Sequence, residues 1–351
     1  MKPLVAPKNK KTDKKMMKKV TIALLALATV ACSSDFIVDV PKGAAIEFDN
    51  LFVENATRAT DLTKDNVQDF GVFGFVESGS KQGQIFKNTR VYREGEDFKY
   101  DIPQYWIGGA QYYFTALAPF TGAKWSYTPT NANNGTINFD NSAAAAAQDL
   151  IFAYVKPAVT PEVIDTKPAA VAFNFKHILA RVKFAFKNEF ASDSNITLKV
   201  TGVTVTNAAK TGSIDVVDGA LQSWDAKDNM TIEFGNTALE NSTDVVMTAG
   251  NAVKSNHLYL IPDQRTYNVT FDVTLYQAGV ELGHYSRQAN VLVNLELGKS
   301  YELIAKLNPN NTSGNGPLEP IEFTVGNIDN WVEENTNNKN SMTFANNGNA
   351  W

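Results

Sequence analysis

The feature that most limits the fold is a succession of short apolar runs, many with every second residue aromatic or β-branched. Ile46 and Phe48 alternate with Glu47 and Asp49, and Leu51, Phe52 and Val53 follow, the pattern of a half-buried first strand. Residues 70–76 (FGVFGFV) and 150–155 (LIFAYV) are near-continuous apolar runs and read as buried strands. Residues 90–100, 104–107 and the aromatic-rich 111–120 are further strand candidates. Residues 197–207 alternate over many positions. Shorter strands read at 231–234, 245–248, 257–261, 267–276, 303–307 and 321–325, separated by Gly, Asn, Asp or Pro. Residues 143–147 support at most a helical turn. Short strands at regular spacing, with no long amphipathic helix between them, predict an all-β chain of two β-sandwiches in tandem.

Residues 170–187 (AVAFNFKHILARVKFAFK) carry two alternations: Val171, Phe173 and Phe175, then Val182, Phe184 and Phe186. They read as one long or bent strand with a phase change near His177–Ala180. A helix is the rival reading, and the aromatic and β-branched content disfavours it. The polar stretch 188–195 is the division adopted between the two halves. The connection punctuated by Pro157, Pro161 and Pro168 is the competing boundary. Residues 128–141, rich in Asn, Pro and Gly, read as a loop, and 308–317 as a linker.

Composition narrows the function. The 351 residues are 44% hydrophobic and 20% charged, enough for a sizeable core, and the net charge of −5 gives no footprint for nucleic acid. Cys32 is the single cysteine, so neither an internal disulfide nor a cysteine metal site is expected. His177, His257 and His284 are widely spaced, and His177 reads as a satisfied core or turn histidine. The sequence has no G-x-S-x-G, H-E-x-x-H, P-loop or Rossmann fingerprint, so neither an enzyme nor a cofactor is expected. Tyr105, Trp106, Tyr112, Tyr113, Trp125 and Tyr127 read either as a sugar-stacking platform or as core.

Three segments suggest processing. Residues 16–31 place two lysines before a short apolar run, with Cys32 behind a small residue: a bacterial secretion signal ending at a lipidation cysteine, with Thr29 where an aliphatic residue is usual. Residues 55–60 (NATRAT) are small and polar, the composition of an exposed loop open to proteolysis. Arg58 there reads either as an ordinary loop arginine or as a cleavage site, with Ala59 the new N-terminus and the first strand detached. In the tail, Met342 and Phe344 share one strand face, with Trp351 on the other. It reads as a frayed end or as a strand for a partner's groove.

The signal ending at Cys32, N-A-T-R-A-T at Arg58, F-G-V-F-G-F at Phe70, Y-Y-F-T-A-L-A-P-F at Tyr112, F-K-H-I-L-A-R-V at Phe175 and the closing Pro320–Trp331 stretch occur in an order that resembles the fimbrillin family. These are the pilus subunits of Bacteroidota and their fimbrillin-like lipoprotein relatives. The resemblance implies two transthyretin-like β-sandwich domains and export as a lipoprotein to the outer membrane. It implies cutting after Arg58 by an arginine-specific surface protease. It also implies polymerisation with other pilin subunits, as a homopolymer or with accessory pilins, by a donor strand from about 340–351 that includes Met342, Phe344 and Trp351. The expected organisation is a signal at 1–31, a propeptide with the removable strand at 32–58, and sandwiches at 59–190 and 191–351. A tip or accessory pilin, and a surface glycan-binding lipoprotein, are the other functions the sequence leaves open.

Overall fold

The structure is a computed structural model that describes residues 44–49, 51–53, 61–142, 148–239, 244–313 and 318–330. The candidate helical turn at 143–147 lies outside them. Among the described residues there are twenty strands. In the first half of the chain these are β1 (Phe52–Val53), β2 (Asp69–Ser78), β3 (Lys81–Glu94), β4 (Asp97–Lys99), β5 (Gln111–Ala118), β6 (Trp125–Pro129), β7 (Gly135–Asp140), β8 (Ile151–Val155), β9 (Asn174–His177) and β10 (Ala180–Asn188). The second half adds β11 (Ile196–Val217), β12 (Ala220–Gly235), β13 (Ala238–Leu239), β14 (Val246–Met247), β15 (Ala252–Lys254), β16 (Leu258–Leu260), β17 (Gln264–Gln277), β18 (Val280–Asn294), β19 (Lys299–Leu307) and β20 (Phe323–Asn330). The chain is all-β, as the alternation predicts.

Three sheets result. The first runs β1-β9-β8-β5-β2-β3-β4, the second β13-β15-β10-β19-β20, and the third β18-β17-β11-β7-β6, with β12 and β14 also on β11. The second and third sheets face each other as a sandwich around Phe184, Phe186, Val200, Val205, Phe271 and Leu303. The first sheet buries both faces. One holds an aromatic core around Phe48, Phe70, Phe86, Phe114 and Phe173. The other meets Trp125 and Tyr127 of β6, Ile137 and Phe139 of β7, and Ile214 and Val216 of β11. Burial on both faces explains the continuous apolar runs of β2 and β8.

The phase change at 177–180 is a change of sheet. β9 pairs with β8, and β10 pairs in parallel with β19 over eight residues. Ile178 and Leu179 between them are fully buried, their backbones held by Leu150 O and Gly298 N. The passage from the first sheet to the second therefore comes before 188–195, and the proline-punctuated 156–168 joins β8 to β9 inside the first sheet. β6 and β7, also early in sequence, pair with the late strand β11.

Residues 128–141 are a correction to the loop expectation. They hold the end of β6 and all of β7, an antiparallel hairpin in which Trp125, Tyr127, Ile137 and Phe139 point inward. Its Asn-rich composition belongs to the turn, where Asn131 Oδ1 accepts from the amides of Asn133 and Asn134 at 3.0 and 2.9 Å. Likewise 308–317 opens with a capped helical turn, α1 (Pro309–Thr312), whose Asn308 side chain accepts from Asn310 N and Asn311 N. The candidate at 90–100 is divided by a turn at Gly95 into β3 and β4. β12 and β18 exceed expectation because most of their side chains face solvent, leaving little apolar signal.

The long hairpins are set by two-residue turns. Asp218-Gly219 joins β11 to β12 and Ala278-Gly279 joins β17 to β18, with all four residues at positive φ. Gly219 is the more constrained, because a Cβ there would lie 2.1 Å from the Tyr154 ring. Gly219→Ala is expected to lower unfolding free energy by roughly 1–3 kcal/mol, read as a shift in urea midpoint, from strain at positive φ and displacement of Tyr154.

Candidate functional site: the seam strand at residues 44–53

The first sheet has two edges, β4 and β9, and residues 44–53 bridge them. On one side Ala45 pairs with Tyr105 and Phe48 with Phe98, both antiparallel. On the other, Phe48 pairs in parallel with Val171, and β1 continues that pairing along β9. Ile46 N donates to Gln104 O (2.8 Å) and Trp106 N to Ala44 O (2.9 Å). Val171 N donates to Glu47 O (2.7 Å) and Phe52 N to Phe173 O (2.9 Å). One segment thus satisfies the backbone of two edges that would otherwise stand open.

Alternation decides which side chains it buries. Ala44, Ile46, Phe48, Leu51 and Val53 point inward, whereas Glu47, Asp49 and Phe52 face outward. Asp49 N donates to Val171 O and Phe52 N to Phe173 O, three residues of the segment against two of the edge, so the seam strand carries a bulge between Phe48 and Leu51. Phe48 is the centre of the aromatic core. It stacks on Phe173 (5.6 Å, 17°) and meets Phe86, Tyr100 and Phe114 edge-on at 5.4, 5.6 and 5.9 Å. Tyr100 donates its hydroxyl to Ile46 O at 2.6 Å and accepts from Gln104 N at 3.2 Å. The exposed Lys167–Glu47 pair adds little.

Just beyond the 54–60 stretch the chain is pinned. Asp61 is fully buried and pairs with Arg181 of β10, and the Tyr259 hydroxyl of β16 donates to its other oxygen at 2.7 Å. Arg181 Nε also donates to Ser300 Oγ of β19 at 3.1 Å. Next to it, Leu62 N donates to Asp149 Oδ2 (2.8 Å), and Asp149 pairs with His177 (2.9 Å). His177 is thereby a buried histidine held through Nδ1 by Asp149. These carboxylates tie the start of the body to both the first and the second sheets.

The sequence-predicted residues Cys32, Arg58, Ala59, Met342, Phe344 and Trp351 lie outside the described residues. Of the aromatic cluster, Trp106, Tyr112, Tyr113, Trp125 and Tyr127 are buried and only Tyr105 is exposed, so the cluster is core and offers no stacking platform. Among the described residues, no group of three or more His, Cys, Asp or Glu is placed to hold a metal ion. The Asp61–Arg181–Tyr259 knot escaped sequence reading. Its only signal was Arg181, a cation within an otherwise apolar alternating run.

Two outcomes follow from this geometry. Asp61→Asn leaves Arg181 buried without its counter-charge and is expected to lower unfolding free energy by about 3–5 kcal/mol in denaturant titration. The second concerns alkaline pH. Burial raises the Tyr112 hydroxyl to about 12, against the opposing amide of Ile107, and burial likewise raises Tyr100. Both hold their protons more tightly folded than unfolded. Their contribution is therefore complete below the ordinary tyrosine value of 10.0 and is lost as pH rises above it, for Tyr112 towards about 12. Denaturant midpoints measured across that window should fall, and less steeply in Tyr112→Phe.

The family model described as fimbrillin-like matches residues 57–331. No curated protein matches the chain. Among solved structures, a candidate cell adhesion protein of Bacteroides ovatus is 17% identical with a TM-score of 0.46, the match covering 83% of this chain and 98% of that one. A second, from Bacteroides uniformis, is 15% identical with a TM-score of 0.45, covering 83% and 100%. A fimbrial protein of Bacteroides ovatus is 10% identical with a TM-score of 0.32, covering 76% of this chain and 50% of that chain. With the family match running over well more than half of its length, the chain belongs to the fimbrillin-like family.

Proposed function

We propose that this chain is a non-catalytic pilus subunit, carried to the cell surface as a lipoprotein on Cys32 and activated by proteolysis after Arg58. The observation that carries the reading is the seam strand. Residues 44–53 seal two sheet edges and bury five side chains, yet they join the body only through the small, polar stretch that contains Arg58. A cut there turns an internal strand into a separate peptide. Its departure opens unpaired backbone on both edges together with an apolar groove. A strand from another subunit restores both by strand addition. At roughly 2 kcal/mol for each large apolar side chain, the four seats of Ile46, Phe48, Leu51 and Val53 are worth about 8 kcal/mol before ordering costs. The donor is the 340–351 segment of the next subunit, and repetition of a head-to-tail contact makes a filament.

The pin at Asp61 and Leu62 gives the cut a defined extent. With Ala59 as the new N-terminus, everything from Asp61 onward stays tied to Arg181, Tyr259 and Asp149. An outer-membrane lipid anchor and an arginine-specific surface protease belong to the same reading.

Processing and assembly separate in two variants treated with a trypsin-like protease. Arg58→Ala should keep its N-terminal segment and stay monomeric. Deletion of 340–351 should lose the segment yet remain monomeric, whereas the unaltered chain sheds the segment and polymerises. An Arg58→Ala protein that still sheds its first strand and polymerises would remove Arg58 from the account. Size-exclusion chromatography with mass spectrometry of the shed fragment reads both steps.

A further inference from the structure

Two connections close the first sheet at the end where residues 44–53 begin, and they hold apolar side chains out in solvent. We infer that this end rests on a lipid surface, with Ile102, Tyr105, Val159 and Val163 entering the headgroup boundary of the leaflet that carries the acyl chains of Cys32. The inference rests on the lipoprotein reading above.

The four residues share one end of the sheet. Ile102 and Tyr105 lie between β4 and β5, and Val159 and Val163 between β8 and β9. Tyr105 pairs with Ala45, while Gln104 O and Trp106 N bond Ile46 N and Ala44 O. The second connection is pinned to the first. Gly109 N donates to Thr160 O and Pro161 O, Thr160 N donates to Ala110 O, and the Thr160 hydroxyl accepts from Ala110 N at 2.9 Å. Gly108 allows the close approach, because a Cβ there would lie 2.2 Å from Glu162 O.

This frame decides what faces outward. Trp106, Ile107 and Ile164 take the inward places against the aromatic core. Ile102, Tyr105, Val159 and Val163 are left 72%, 43%, 58% and 68% exposed. They are neighbours on loops bonded to each other, so they cannot simply fold in. Clustered apolar groups held in water on a fixed frame mark a surface that is covered in use.

Chain length selects the cover. Eleven residues, 33–43, separate Cys32 from Ala44, and they reach at most about 36–40 Å when extended. Ala44 lies at this same end, so of the two ends of the first sheet it is the one an acylated Cys32 brings to the leaflet first. The side chains suit that contact: three aliphatic groups, and a tyrosine, a type enriched at membrane interfaces. The exposed charges nearby, Asp101, Glu162 and Asp165 against Lys156, give no basic face, so insertion rather than attraction to anionic lipid holds the surface. Residues 44–53 then run away from the leaflet. Val53 is up to about 30 Å from Ala44 along the strand, so the stretch that contains Arg58 begins at the end remote from the lipid.

The test uses the full lipidated chain in phosphatidylcholine vesicles, with a thiol-reactive fluorophore as depth probe. Acylation blocks Cys32, so the fluorophore attaches only to an introduced cysteine. On Val163→Cys its emission should shift to the blue and be quenched by lipids brominated near the headgroup. On Leu292→Cys, an equally exposed position on β18, it should keep its aqueous spectrum and stay unquenched. Adding Ile102→Asp and Val159→Asp should return the Val163→Cys probe to the aqueous spectrum while the vesicles keep the protein. A blue-shifted but unquenched probe would mean that another protein copy covers the patch, and an aqueous spectrum in Val163→Cys would mean that nothing does; either overturns the inference. Uptake of fluorophore by Cys32 in the unaltered chain would instead remove the lipoprotein reading, and the inference with it.

Discussion

The fold of the first sheet depends on a seam being closed. Six strands, β9 to β4, curl until the two outer edges come close, but those edges do not pair with each other. A single segment lies between them, antiparallel to one and parallel to the other, and its inward side chains complete the aromatic core. Without it, the sheet has two open edges and a core missing its central ring. A sheet edge is normally defended by charge, brevity or cover. Here the cover is a piece of the chain attached on its C-terminal side by a short polar stretch.

The two kinds of contact along the seam behave differently. The backbone bonds to Gln104, Val171 and Phe173 engage main-chain atoms, so any extended chain with the right spacing can make them. Selectivity comes from the seats, above all from the ring-walled one that holds Phe48. The knot that follows is of another character: Asp61, Arg181 and Tyr259 are specific in charge and geometry, and they are buried. Main-chain contacts and apolar seats on one side of residue 60 and buried charge pairs on the other hold the two parts of the chain by different means.

Legibility in the sequence followed the amount of apolar signal. The class was readable because β2, β8, β10 and the first half of β11 alternate or run continuously apolar. The inward set of the seam strand was readable because Ile46 and Phe48 stand between Glu47 and Asp49. The β6–β7 hairpin was hidden because its four inward aromatic and aliphatic residues flank an Asn-rich turn that dominates the local composition. β12 and β18 were under-read because they turn mostly polar side chains to water. The change of sheet at Ile178–Leu179 left a trace as a shift of phase, but a shift of phase does not say which strands each half will find. The partners of residues 44–53 lie about fifty and about one hundred and twenty residues downstream, and nothing local specifies them.

That separation bears on the order of events at the ribosome. The seam strand is the first of its sheet to be synthesised, but the residues on its parallel side, 171–175, follow only after most of the first sheet has emerged. Until then Ile46 and Phe48 have only the antiparallel side and the rings of Phe86, Tyr100 and Phe114 to pack against, and the chain carries a half-covered apolar ribbon. The first strand of this sheet is thus completed only when its last strand, β9, has been made, and the aromatic core closes when the loop from Leu51 to Val171 has been drawn shut against its closure entropy.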